Sequence, residues 1–268
     1  VGDEAGTALT TGDQNVAVGY QALDALDTAI RNVAVGTTAL TSDTKGDASV
    51  AVGHGALFTQ NFTTTTSVYN VAVGYHAGVN VTTGQQNTLI GGEAGDAFTD
   101  ADFNVGLGYR ALSTDTLGSK SVAVGNGSLF AQNFTTATDS FNTAVGFEAG
   151  VSVTTGVLNT LVGGLTGLAL TSGNNNTAVG YAALSTDTLG DRNVAIGIQA
   201  LGAQNFTTST DSYNVAVGYD SGRNVSTGVR NTLVGGLAGD ALTTGDNNAV
   251  LGFNALGSDT QGDRNVAI

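Results

Sequence analysis

Few residues in this chain could do chemistry, and their spacing is the first constraint. His54 and His76 are the only histidines and cysteine is absent, so these two are the candidates for base or metal chemistry near neutral pH. Their equivalents in the later repeats are Asn126 and Ile198 for His54, and Glu148 and Asp220 for His76. His54 therefore reads as surface drift. With serines scattered through turns, no nucleophile, base and orienting group can be assembled, and the chain reads as a non-enzyme without a cofactor. The glycine pairs in "IGGEAG" and "VGGLTG" look superficially like phosphate cradles, but such a loop must open a helix, and no helical period follows them. Acidic strings of the "TDTLGD" kind place Asp43, Asp47, Asp187, Asp191, Asp259 and Asp263 where calcium could bridge carboxylates and turn carbonyls. The second acid is Ser119 in one copy, so solvated turns are the favoured reading and calcium the weaker one.

The composition narrows the partners. The chain has 268 residues, 8 Lys and Arg against 22 Asp and Glu, a net charge of −14, 40 Gly, and no Pro, Cys, Met or Trp. Such an acid excess makes nucleic acid and anionic membrane poor partners. No run of apolar residues is long enough to span a bilayer. Neither a disulfide framework nor a cysteine-based zinc site is available.

What must position everything is a repeat. From Gly2 to Gly252 a small aliphatic box ending in glycine recurs at spacings of 17 residues, with one of 21 after every third. Four units sum to 72 residues, and 36–107, 108–179 and 180–251 are full copies of this longer repeat. A unit of 17 residues holds two short strands and two turns, which can satisfy their backbone only by pairing with the units above and below at about 4.8 Å per rung. The expectation is an all-β parallel β-solenoid, a single continuous array over 1–268 that rises about 70 Å and forms part of a longer fibre.

Each column of the repeat carries a physical statement. The residue before the box glycine is aliphatic throughout, as in Val18, Val35 and Val52, and reads as buried. Alternation then turns the intervening Ala17, Ala34 and Ala51 outward, and Leu89, Leu161 and Leu233 occupy the same column once per 72 residues. These six read as an interface through which further chains pack, against the plainer reading that the leucines enter their own core. Four residues before the glycine stands asparagine, including Asn15, Asn32, Asn70, Asn87 and Asn104, a ladder of amides if the units stack.

The four extra residues of each 21-residue unit fall in "QNFTTTTSVYN", "QNFTTATDSFN" and "QNFTTSTDSYN". These loops gather the aromatics Phe62, Tyr69, Phe134, Phe141, Phe206 and Tyr213. They read as staples over the rod or a neighbouring chain, with a receptor-facing or glycan-facing protrusion as the other reading. Asn61, Asn133 and Asn205 each begin an N-x-T sequon. Threonine-rich strings also raise ice binding, although threonine clusters mainly once in four units.

The boxes "NVAVG", "NTAVG" and "NVAIG", each followed by a small residue three positions on, resemble the head repeats of YadA-type trimeric autotransporter adhesins. They are also similar to repeats of bacterial surface fibres and phage tail fibres. The resemblance covers essentially the whole chain and rests on a short motif. It implies a left-handed parallel β-roll and three identical chains around one axis. It further implies an extracellular structural or adhesive fibre on a cell surface or virion tail, with its own copies and a host-surface or glycan receptor as partners. A phage tail-fibre shaft, an end-to-end filament, and an ice-binding or calcium-stabilised adhesin region are the other readings. The longer rung and the 72-residue super-period depart from the YadA pattern.

Overall fold

The computed structural model describes residues 1–268 and falls into two compact units, Val1–Ser140 and Phe141–Ile268. Both are all-β and both are parallel β-solenoids without a helix. In the first, the strands Val16–Val18, Val33–Val35, Val50–Val52, Val71–Val73, Thr88–Ile90, Val105–Leu107 and Val122–Val124 stack into one parallel sheet. In the second, the stack runs through Thr143–Val145, Thr160–Val162, Thr177–Val179, Val194–Ile196, Val215–Val217, Thr232–Val234, Ala249–Leu251 and Val266–Ala267. Register follows the repeat: Val16 pairs with Val33, Ala17 with Ala34 and Val18 with Val35.

Most rungs hold one strand of three residues, not the two strands expected. Their other sides are turns built from left-handed residues. The residue before the asparagine, or before the serine that replaces it at 49 and 121, has positive φ in rung after rung, for instance Arg31 at 62°, Lys120 at 62° and Arg192 at 61°. This region is costly for L-residues. It is held by stacking: the Arg31, Lys120 and Arg192 N–H groups donate to the carbonyls of Asp13, Asp102 and Asn174 in the preceding rung. The box glycine is obligatory for a steric reason. Gly19 sits at φ 130°, and a Cβ there would lie 2.5 Å from the Gly36 carbonyl oxygen of the next rung.

The structure reverses the two faces of the sheet. Ala34 and Ala51 are fully buried inside the solenoid and Ala17, in the first strand, is partly covered, while the flanking valines lie outside and half exposed. Ala17, Ala34 and Ala51 therefore do not form an outer interface; they line the core, because a 17-residue loop encloses too little width for two rows of valine. Leu89, Leu161 and Leu233 are likewise wholly buried in their own unit instead of projecting as knobs. Their volume is accommodated by glycine four residues after the box: Cβ atoms on Gly78 and Gly95 would lie 2.9 and 2.7 Å from Leu89, and on Gly222 and Gly239 2.6 and 2.9 Å from Leu233. The alanine rung just before each leucine also carries glycine there, as Gly78 and Gly222 do, and the remaining alanine rungs carry leucine, as Leu40 and Leu57 do. Large and small residues thus trade places so that each layer is filled once.

Asparagine turns inward with the alanine. Asn32, Asn70, Asn87 and Asn104 are fully buried. The backbone N–H of Asn32 donates to Asn15 Oδ1 at 2.9 Å, and Asn87 and Asn104 repeat the step onto Asn70 and Asn87. Each amide also donates sideways, Asn32 Nδ2 to the Gly46 carbonyl at 2.8 Å and Asn70 Nδ2 to Gly84 at 2.7 Å, so a buried polar column is satisfied along its length.

Candidate assembly face and inserted loops

Two surfaces stand out, and both follow from the faces just described. The first is the outside of the sheet. In the first unit it presents two columns, Val16, Val33, Val50, Val71, Thr88, Val105 and Val122 beside Val18, Val35, Val52, Val73, Ile90, Leu107 and Val124, all half-buried or exposed. The second unit presents the equivalent columns with threonine in place of several valines. All-parallel sheets are normally covered on both faces, and a contiguous apolar patch of this extent marks an interaction site.

The edges of this face differ in chemistry. One edge is the left-handed column before the asparagine, which holds Arg31, Lys120, Arg192, Arg230 and Arg264, five of the 8 basic residues of the chain. The other is the column after the box glycine, where Tyr20, Tyr75, Tyr109, Phe147, Tyr181, Tyr219 and Phe253 are exposed, followed by Glu4, Glu93 and Glu148 one position on.

The second surface is the inserted loop. Its extra residues add a short strand over the preceding turn: Thr66–Ser67 pairs with Gly46–Asp47, Thr138–Asp139 with Gly118–Ser119, and Thr210–Asp211 with Gly190–Asp191, all parallel. A buried carboxylate clasps the loop. Asp43 Oδ1 accepts N–H bonds from Gly46 at 3.0 Å and Phe62 at 3.1 Å, and Oδ2 accepts from Gln60 Nε2 at 2.5 Å. Gln60 Oε1 in turn accepts from Asn70 Nδ2 at 2.9 Å, which ties the clasp to the asparagine column. Asp115 with Gln132 and Phe134, and Asp187 with Gln204 and Phe206, repeat it. Burial pushes the Asp43 and Asp187 carboxyls above the ordinary aspartate value, against the N–H donors that pull it down.

The loop aromatics divide. Phe62, Phe134 and Phe206 are 6% exposed and act as staples, whereas Tyr69, Phe141 and Tyr213 are about half exposed. Val68, in the first loop, is fully buried as well. The acidic candidates for calcium are engaged as turn acceptors. Asp47 Oδ1 accepts from the Ile30 N–H, Asp191 from Asn174 and Ser209, Asp259 from Gly262 and Asn265, and Asp263 from Asp246. No three of His, Asp and Glu converge on one point. The threonine hydroxyls of the adjoining column are likewise donated along the stack, Thr82 to the Thr99 carbonyl and Thr99 to Thr116 at 3.1 and 3.2 Å. Hydroxyls spent on backbone carbonyls form a rung-to-rung tie instead of a free lattice.

No helix is long and apolar enough to cross a membrane. Comparison with protein-family models, with curated proteins and with solved structures finds no match.

Proposed function

We propose that this chain is a non-enzymatic segment of an extracellular fibre, assembled from three parallel copies of itself and used for attachment. The observation that carries the reading is the bare outer face of the parallel sheet. Its valine columns would come together around a common axis, and burying them removes an apolar surface that no part of the chain itself covers.

The unlike edges support a parallel arrangement. Copies running the same way bring the arginine and lysine column of one chain against the aromatic edge of the next; Lys120, Arg192 and Glu93 pair within the chain with Asp139, Asp211 and Arg110, so cross-chain cation–π contacts would fall to Arg31, Arg230 and Arg264. Antiparallel copies set like edges together. The threefold count and the left-handed coil come from the resemblance of the boxes to YadA-type head repeats, as does placement at a cell surface or virion tail. Repeated loops with exposed Tyr69, Phe141 and Tyr213 would supply many weak receptor contacts that act together.

Light scattering on the purified chain tests the assembly, with a mass of three 26.6 kDa chains expected. A folded monomer at working concentration overturns it. Binding of the assembled protein to host cells or a glycan array, lost on combined Tyr69→Ala and Tyr213→Ala with the fold intact, tests attachment.

A further inference from the structure

The two histidines that the repeat columns scatter are brought together by the stack. His54 follows box glycine Gly53 and His76 lies two residues after Gly74, so successive rungs place them side by side. Their ring centroids are 5.3 Å apart and their planes are tilted by 40°. Tyr75 lies against both, stacked on His76 at 3.9 Å and 22° and on His54 at 5.5 Å and 19°, so the three rings open as a fan.

The arrangement has its own supporting residue. A Cβ on Gly55 would lie 2.7 Å from His76 Cδ2 and 3.2 Å from Nε2, so glycine, which the next copy also has at Gly127, leaves room for the imidazole where other rungs carry Gln21, Thr38 or Gln199. Both histidines line a cavity of about 400 Å³ together with Thr38, Phe58, Val79 and Asn80. The side-chain contacts of both imidazoles are with rings instead of hydrogen-bond partners.

We propose that His54 and His76 form a two-imidazole site for a divalent transition-metal ion, with water completing the coordination. An ion bound at about 2.0–2.1 Å from one nitrogen of each ring lies about 3.2 Å from each centroid, and a tetrahedral angle then separates the centroids by about 5.2 Å. The observed separation matches. Planes that cross, as these do, allow in-plane lone pairs to converge, which parallel stacked rings do not. Imidazole selects copper, nickel and zinc over calcium and magnesium, with copper bound most tightly. The net charge of −14 raises the local concentration of cations.

The test is calorimetric titration of the purified full chain with Cu²⁺, Ni²⁺ and Zn²⁺ separately, at a pH where imidazole is neutral, in a non-chelating buffer. One ion per chain is expected, with copper bound more tightly than nickel or zinc. His54→Ala and His76→Ala should each weaken binding on the order of tenfold or more, and the double variant should abolish it. Melting curves without metal establish that the variants fold. Absence of saturable binding overturns the proposal, as does binding that survives in the double variant or that depends on only one histidine.

Discussion

The carboxylate of Asp43 accepts the backbone N–H of Phe62 across a rung boundary, at 3.1 Å. That bond fixes the start of the inserted loop, and the same oxygen holds the turn at Gly46. Asp43→Asn keeps this acceptor but sets an amide against Gln60 Nε2, whose own carbonyl is already committed to Asn70. A loss of about 2 kcal/mol is expected in denaturant melts.

The protons on these carboxyls give a pH signature. Asp43 and Asp187, and with them Asp96 and Asp102, bind protons more tightly than the ordinary aspartate at 3.8, in each case chiefly through burial. The folded state therefore takes up protons before the unfolded state does. Stability should rise as pH falls from neutrality through the raised values and level off near 3.8. Thermal melts across this range should show the melting temperature climbing on mild acidification, less so in Asp43→Asn/Asp187→Asn. A melting temperature that falls throughout contradicts the buried-carboxyl account.

Within the loops, burial separates two kinds of aromatic. Phe134→Ala removes a ring that is 6% exposed and should cost about 3 kcal/mol. Tyr69→Ala removes one that is 55% exposed and should leave the melting temperature within a degree or two of the parent. Similar losses for the two would contradict the division into staple and contact.

Leu89 fills a space that two glycines keep open. Leu89→Ala should destabilise by about 3 kcal/mol through cavity formation, whereas Val71→Lys, on the outer face, should leave each unit folded and reduce the scattering mass toward a single chain. Val71→Lys leaving the mass unchanged would show that the outer face is not where copies meet.

Chelation should have little effect. Because the acidic turns meet N–H donors, an excess of EDTA is expected to leave the melting temperature unchanged, and a large drop would reassign Asp187, Asp191, Asp259 and Asp263 to calcium.

The period, the parallel stacking and the position of the one long strand in each rung are legible from the box glycines alone, since only stacked rungs satisfy a 17-residue unit; the second strand expected in every rung is found only beside the inserted loops. Which side of the strand faces inward is not. Alternation shows that Val33 and Ala34 lie on opposite faces, and hydrophobicity favours Val33 as the buried one. The width of the coil decides otherwise, and width is a property of the closed turn. The signal that could have found it is the exchange between columns: leucine at position 89 coincides with glycine at 78 and 95. The histidine pair was hidden for a related reason. His54 and His76 occupy different columns, and comparison down a column cannot reveal neighbours between columns.

The contact of Gly19 with the Gly36 carbonyl has a consequence for how such a chain can evolve. A register shift by one residue would drive a side chain into the backbone above and turn the alanine row out of the coil at the same stroke, so small insertions and deletions within a strand are forbidden. Length changes are therefore confined to recombination events that copy or delete an entire coil, or to loops such as the one after Gln60 that an acid of the preceding coil, Asp43, holds in place.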